Sequence, residues 1–176
     1  RKMPVEGATK FNDLKKAYAK GIELRGKKIG IIGFGRIGRE TAKLALGLGM
    51  EVLAFDLYKV PDELEVQLAG NVQVNVPLKS VTMDGLLSQS DFISLHVPFS
   101  EQPVLGEAAF KSMKMGVGIV NCSRGGTVDE RALLDALNSG KVSFAGLDVF
   151  ENEPTPHLDI LTHPRVSLTP HIGAST

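Results

Sequence analysis

The sequence predicts an α/β fold built on a doubly wound parallel sheet, and three observations predict it. From about Glu23 onward, apolar runs of strand length alternate with runs of helical period, the pattern of repeated strand–helix–strand units. Some of the apolar runs are nearly continuous, as suits strands buried on both faces. Finally, Gly33, Asp56, His96, Arg124, Asp148 and His171 each fall at or just beyond the carboxyl end of an apolar run. In an open parallel sheet those ends share one edge, and ligands bind along it.

The first strand, Lys28 to Ile32, runs into Gly33-Phe34-Gly35-Arg36-Ile37-Gly38, a G-x-G-x-x-G turn that opens a helix from Arg36 to Leu48, with Leu44 and Leu48 four apart and Gly49 as its stop. In a dinucleotide-binding (Rossmann) unit the first glycine allows the tight turn, the second lets a pyrophosphate approach the backbone, and the third lets helix and strand pack closely. The helix start, with N–H groups lacking internal partners, attracts the anion. A second strand, Glu51 to Phe55, ends in Asp56, 18 positions after Gly38. An acid there accepts the ribose hydroxyls and repels a 2′-phosphate, which favours NAD over NADP; Lys59 is the one neighbour that pulls the other way.

Upstream, Arg1 to Gly26 is polar and carries a short helix from Asn12 or Asp13 to Lys20, so residues 1–22 are expected to form a linker or packing helix and 23–176 the nucleotide-binding domain. Beyond Asp56 come a loop with Pro61, a short extended run from Val72 to Val76, and a helical turn from Met83 to Leu87 that Thr82 can cap. Asp91 to Val97 reads as a buried strand stopped by Pro98, Gly106 to Met113 as a helix, and Gly118 to Cys122 as the next strand. Thr127-Val128-Asp129-Glu130 has the capping-box form, with Asp129 as the alternative cap; its helix presents Leu133, Leu134 and Leu137 and stops at Gly140. Phe144 to Val149 is a further buried strand, a turn spans Leu158 to Leu161, and the last strand, Val166 to Leu168, leads into Thr169-Pro170-His171.

Composition narrows the function. Twenty basic and twenty acidic residues cancel among 176, so no overall field favours nucleic acid or an anionic membrane. The apolar runs are far shorter than the ~20 residues of a membrane span, and the start lacks a secretory pattern. The single cysteine, Cys122, excludes an internal disulfide and fits a reducing compartment, with the cytoplasm as the expected location. The chain opens at Arg1 and ends in Gly173-Ala174-Ser175-Thr176 within a loop, which suggests one domain excised from a longer protein.

A nicotinamide cofactor supplies the hydride, leaving the protein to position substrate and handle one proton. A histidine suits the proton, a carboxylate beside it fixes its orientation, and an arginine matches a substrate carboxylate. The sequence offers His171, Glu153 and Arg124. His96 is better placed for shaping the backbone or the cofactor side, His157 and His163 read as surface residues, and Cys122 lacks an adjacent histidine that would activate it. The carboxylates and histidines lack metal-ligand spacing along the chain, so no metal is expected.

These motifs, together with His96-Val97-Pro98, Asn121-Cys122-Ser123-Arg124-Gly125-Gly126-Thr127-Val128-Asp129, Asp148-Val149-Phe150-Glu151-Asn152-Glu153-Pro154 and Thr169-Pro170-His171-Ile172-Gly173-Ala174, resemble the D-2-hydroxyacid dehydrogenase family. The resemblance implies that Arg124 holds the substrate carboxylate, that His171 is the acid–base residue and that Glu153 is its partner. It implies that Arg36 and Ile37 contact the pyrophosphate and Asp56 the ribose. Val97, Cys122, Ser123 and Asp148 would line the nicotinamide half, with Gly173 and Ala174 nearby. It further implies a small 2-hydroxy or 2-oxo acid as substrate, a second, substrate-binding domain outside this chain, and a homodimer formed through this one. The runs Val120–Gly126 and His171–Thr176 most resemble the branch that oxidises D-3-phosphoglycerate as the first step of serine synthesis; glyoxylate, hydroxypyruvate and D-lactate reductases share the same signatures. A non-catalytic NAD-sensing module of the corepressor kind is the alternative from another class.

Overall fold

A computed structural model of the chain describes residues 3–17, 19 and 21–175. Its centre is a seven-stranded, wholly parallel sheet. In chain order the elements are α1 (Met3–Ala17), β1 (Lys28–Ile32), α2 (Arg36–Gly47), β2 (Glu51–Phe55), β3 (Glu63–Gln67), β4 (Gln73–Pro77), β5 (Lys79–Ser80), α3 (Met83–Gln89), β6 (Phe92–Leu95), α4 (Glu107–Ser112), β7 (Val117–Asn121), α5 (Glu130–Asn138), β8 (Val142–Leu147), α6 (Leu158–Thr162) and β9 (Val166–Leu168). The strand order is β5-β2-β1-β6-β7-β8-β9, so the chain leaves β1 in one direction and returns to its other side through β6. That reversal is the switch point at which doubly wound folds bind ligands.

Neighbouring residues of a strand point to opposite faces, and β1 shows the consequence. Ile31 joins an apolar cluster with Ala42 and Ala45 of α2, whereas Ile32 joins one with Leu86 of α3, Phe110 of α4 and Leu133 of α5. Helices therefore cover both faces, and the near-continuous apolar runs of β1, β2 and β6 are explained by burial on both sides.

One feature is new and three local expectations need correction. The face α2 presents to the sheet is Gly38, Ala42 and Ala45; Leu44 and Leu48 are 71% and 54% exposed. Small side chains let this helix lie close to the sheet, and the leucines are left on its outer side. The cap of α5 is Asp129, which accepts a hydrogen bond from the Ala132 N–H at 2.9 Å. Thr127 is instead fully buried, its hydroxyl donating to the Arg124 carbonyl at 2.7 Å. The segment after Asp56 is an antiparallel hairpin, not a loop with one extended run: Leu64 pairs with Val76 and Val66 with Val74. Leu64 is buried against the α2 side of the sheet, which fixes the hairpin's inner face. The N-terminal helix begins earlier than expected, at Met3, with a break in helical geometry at Lys10; Leu14 is its buried anchor. Of the expected extension to Lys20, Tyr18 and Lys20 lie outside the described residues, and Ala19 is not helical. Among the described residues no helix is long and apolar enough to cross a membrane.

Candidate active site

The glycine turn is built by close approach. Gly33 has φ +91°, and a β-carbon there would lie 2.5 Å from the carbonyl oxygen of His96. Only glycine serves where φ is positive and backbone lies against backbone. At Gly38 a β-carbon would sit 2.1 Å from the Gly33 carbonyl oxygen, whereas at Gly35 it would meet nothing within 4 Å. The first and third glycines thus pack the turn against β6 and α2, and the second leaves open space in front of the helix. Gly35 caps α2 without a side-chain bond, and the first internal bond runs from the Arg39 N–H to the Gly35 carbonyl at 3.0 Å. The N–H groups of Arg36, Ile37 and Gly38 precede it and are the free donors of the helix start. The side chains of Arg36 and Ile37 are exposed beside them.

Asp56 follows β2 and bridges two segments. Its Oδ2 accepts the Phe34 N–H at 2.6 Å and its Oδ1 the Tyr58 N–H at 2.9 Å. A carboxylate oxygen has more than one acceptor position, so Asp56 braces the turn and keeps capacity for hydroxyls. Lys59 is turned to Asp62, 3.8 Å away on the surface.

At the end of β6, the His96 N–H bonds the Ile32 carbonyl at 2.8 Å and its Nε2 lies 2.9 Å from the Ser94 hydroxyl. Burial holds its imidazole below the usual histidine range, so it is neutral near pH 7 and its backbone shapes the floor under Gly33. Val97 adjoins that contact, and Pro98 is exposed beyond it. After β7, Asn121, Ser123 and Thr127 form a buried network in which the Ser123 hydroxyl donates to Asn121 Oδ1 at 2.7 Å. This network fixes the turn from which exposed Arg124 projects, one guanidinium nitrogen donating to the Ser123 carbonyl at 2.6 Å. Cys122 is exposed, and burial of its sulfur, with the Asp148 charge, pushes its thiol up; it is protonated at neutral pH and a poor nucleophile.

The last two strands carry the most ordered part. Asp148, 3% exposed at the end of β8, accepts from the Thr169 hydroxyl at 2.5 Å, from the Ile172 N–H at 2.9 Å and from the Gly173 N–H at 2.8 Å. Burial pushes its carboxyl up, but these three donors and the nearby His171 outweigh burial and hold it below the ordinary aspartate range. Between Thr169 and Ile172, His171 sits at φ +53°, a conformation that non-glycine residues rarely adopt. Its Nδ1 is 2.7 Å from Glu153 Oε2, while Glu153 Oε1 accepts the Phe150 N–H at 2.9 Å. The His171 bond, then the Phe150 N–H, hold the Glu153 carboxyl below its usual range. An ionised carboxylate facing Nδ1 keeps the proton on that nitrogen and leaves Nε2 to exchange one. A cleft of about 400 Å³ opens beside the pair, lined by Phe150, Leu168, Thr169 and Pro170 among others. Ala174 lies in the turn that follows, closed by the Ser175 N–H on the Ile172 carbonyl at 3.0 Å.

The family model for the D-isomer specific 2-hydroxyacid dehydrogenase NAD binding domain matches residues 5–173. The chain belongs to this family. It is 46% identical over 166 residues to a hydroxypyruvate reductase of Thermotoga maritima, covering 92% of this chain and 50% of that protein. It is 45% identical over 159 residues to a D-3-phosphoglycerate dehydrogenase of Archaeoglobus fulgidus, covering 89% and 28%. The holo crystal structure of Rhodotorula graminis D-mandelate dehydrogenase superposes with a TM-score of 0.81 at 33% identity, covering 94% of this chain and 47% of that one. The chain thus spans half or less of the length of these relatives.

As the NAD-binding domain of such a dehydrogenase, the chain fits its cofactor at the residues already described. Gly35 leaves room, the start of α2 offers free donors, and Asp56 retains acceptor capacity. The sequence pointed to these positions but not to two features of the structure around them. One is the Asn121–Ser123–Thr127 network. The other is that the Asp148 carboxylate is spent on the backbone that carries His171. The polar residues were legible, but their partners lie across loops.

Proposed function

We propose that this domain serves an NAD-dependent dehydrogenase that interconverts a D-2-hydroxy acid and its 2-oxo acid, with Arg124, Glu153 and His171 acting on the substrate. The Glu153–His171 hydrogen bond of 2.7 Å is the observation that carries this reading. NAD, when bound, takes up or returns the hydride, so the protein must manage a proton and hold a carboxylate. His171, oriented through Nδ1 by Glu153, takes the proton from the substrate hydroxyl at Nε2 and gives it back in reduction. The His171 bond and the Phe150 N–H hold the Glu153 carboxyl low, so an ionised acceptor faces Nδ1 throughout the reaction. Arg124, with one donor on the Ser123 carbonyl and the others without a partner among the described residues, grips the substrate carboxylate by its planar fork.

For the cofactor, Gly33, Gly35, Arg36, Ile37 and Gly38 hold the pyrophosphate and Asp56 the ribose. His96, Val97, Pro98, Cys122, Ser123, Asp148, Gly173 and Ala174 form the nicotinamide side. Short 2-oxo acids of the glyoxylate and hydroxypyruvate class are the preferred substrate, supported by the similarity to the Thermotoga reductase. D-3-phosphoglycerate is the second reading, supported by the similarity to the Archaeoglobus enzyme. The whole protein acts as a cytoplasmic homodimer paired through this domain.

The test assays the full-length protein with glyoxylate, hydroxypyruvate, 3-phosphoglycerate and D-lactate side by side, with NAD(H) and NADP(H). Turnover with at least one, preferring NAD(H), is expected. His171→Ala should lower kcat by ~10²–10⁴; near-normal turnover in that variant would remove His171 from the mechanism.

A further inference from the structure

Behind the Glu153–His171 pair, α5 meets the loop that follows β8. Glu130, first residue of α5, is 4% exposed. Its Oε1 accepts the Glu151 N–H at 2.9 Å, and Glu151 Oε1 accepts the Glu130 N–H at 2.8 Å. This reciprocal clasp satisfies one oxygen of each carboxylate. Glu130 Oε2 is left buried, with no hydrogen-bond partner among the described residues. A buried polar atom of this kind calls for a water or an ion. Folding also brings His157 to it: one ligand atom each from Glu130, Glu151 and His157 lie within 4.8 Å of one another, although 27 positions separate Glu130 from His157 in the chain. The expectation of no metal, drawn from spacing along the sequence, could not register this convergence.

We propose that Glu130, Glu151 and His157 form a binding site for one divalent transition-metal ion of the zinc type. Two carboxylate oxygens and an imidazole nitrogen, with water in the fourth position, are a donor set that such ions accept. Tetrahedral coordination at about 2.1 Å spaces ligand atoms about 3.4 Å apart, so the atoms have to close by roughly an ångström. Glu151 and His157 are exposed and have room to do so. A cavity of about 270 Å³ at this place, lined also by Arg131 and Asp159, gives access from solvent. Arg131 is drawn to Asp135, 3.7 Å away, so its charge has a partner outside the triad.

Asn152 Nδ2 stands 2.6 Å from His157 Nε2, and turning the amide over puts Oδ1 in its place. With its amide oxygen turned to the ring it takes the Nε2–H and leaves Nδ1 as the ligand, the outer partnership that metal-bound histidines show. Burial pushes the Glu130 carboxyl up and the Glu151 charge adds to this, against the Glu151 N–H and His157; a cation would relieve both penalties. The ion would tie the start of α5 to the segment carrying Glu153, two residues beyond Glu151, and so brace the catalytic pair from behind without touching substrate.

The experiment titrates the chelator-treated full chain with zinc sulfate by calorimetry and follows its melting temperature, then replaces zinc by cobalt(II) to read the ligand field. One zinc per chain, a rise in Tm and visible cobalt bands are expected. Glu130→Gln and His157→Gln should each weaken binding at least tenfold. His157 is exposed, so its variant keeps the test open should Glu130→Gln fail to fold. His171→Asn should leave zinc affinity unchanged. No saturable binding below about 1 mM zinc, which would assign the buried oxygen to a water, overturns the proposal. So does equal affinity in the His157→Gln chain, or loss of binding in His171→Asn, which would put the metal on the catalytic pair.

Discussion

Replacing Asp148 by asparagine tests how the loop bearing His171 is held. The two side chains have the same shape, so the change isolates charge and acceptor capacity. Asp148 Oδ1 takes two donors, Thr169 Oγ and the Ile172 N–H, and Oδ2 takes the Gly173 N–H. Asparagine can keep the first two through its one oxygen. Its amide nitrogen then faces the Gly173 N–H, donor against donor. One bond to a charged acceptor, worth ~1.5–3 kcal/mol, is lost, and a part-buried donor is left facing another donor at roughly 1 kcal/mol. A net loss of about 3 kcal/mol follows, which for a domain of this size lowers Tm by about 6–12 °C. The assay is a thermal melt of the cofactor-free chain at pH 7, repeated down to pH 3. Because the folded carboxyl lies below its unfolded value of about 3.9, Asp148 stabilises the fold above that pH. Its contribution fades as pH falls through the lower, folded value. Wild type should therefore lose more stability than Asp148→Asn on acidification below about pH 4, and the two curves should converge. A variant melting within about 1 °C of wild type at pH 7, with the same acid profile, would refute the claim that this carboxylate holds the loop.

Other expectations rest on single contacts. Gly125→Ala would drive a β-carbon to 1.9 Å from the Phe150 carbonyl oxygen; with backbone on both sides, a loss of ~1–3 kcal/mol or more is expected in urea unfolding. Gly38→Ala, 2.1 Å from the Gly33 carbonyl oxygen, should push α2 off the turn and weaken NADH binding, read by nucleotide fluorescence, by at least tenfold. Asp56→Ala should weaken NADH by ~1.5–3 kcal/mol, the scale of hydrogen bonds to a charged group, and narrow its advantage over NADPH; an unchanged preference would remove Asp56 from cofactor selection. Glu153→Gln should leave NADH affinity unaltered and lower kcat, because the ionised acceptor that orients the His171 ring through Nδ1 at 2.7 Å is replaced by a neutral amide; an unchanged kcat would count against the pair.

What was legible in the chain was whatever local sequence determines. Each strand of the parallel sheet except the two-residue β5 announced itself through a short apolar run, most clearly where both faces are covered, as in β1 and β6, and the site residues through their position at strand ends. The hairpin β3–β4 was missed for a physical reason. Connections between parallel strands usually run through helices, and Leu64 and Val66 alternate over too short a stretch to overrule that prior. Leu44 and Leu48 marked the helical period of α2 but not its inner face, because leucines outweigh alanines in any hydrophobic pattern while the tight helix–sheet contact at Gly38 favours the alanines. Thr127 was mistaken for a cap because Thr-x-x-Glu satisfies the capping-box pattern, while the buried demand of Asn121 and Ser123 claims its hydroxyl.

The site divides along the same line. Which residues stand at the edge followed from strand ends, but what each does there depends on partners 18 to 25 positions away, as with Glu153 and His171, or Asp148 and Gly173. Asp148 shows the difference best. Read alone, a carboxylate at a strand end suggests ligand contact. Folded, it accepts three donors from the stretch on both sides of His171 and sets a residue with positive φ between them. An unfavourable backbone conformation persists only where its surroundings over-determine it, and here they do so through one buried charge. His171 is thus aimed from two sides, its ring by Glu153 and its backbone by Asp148. Loss of either carboxylate should misdirect it in separable ways: the first through kcat with the fold intact, the second through the stability of the loop itself.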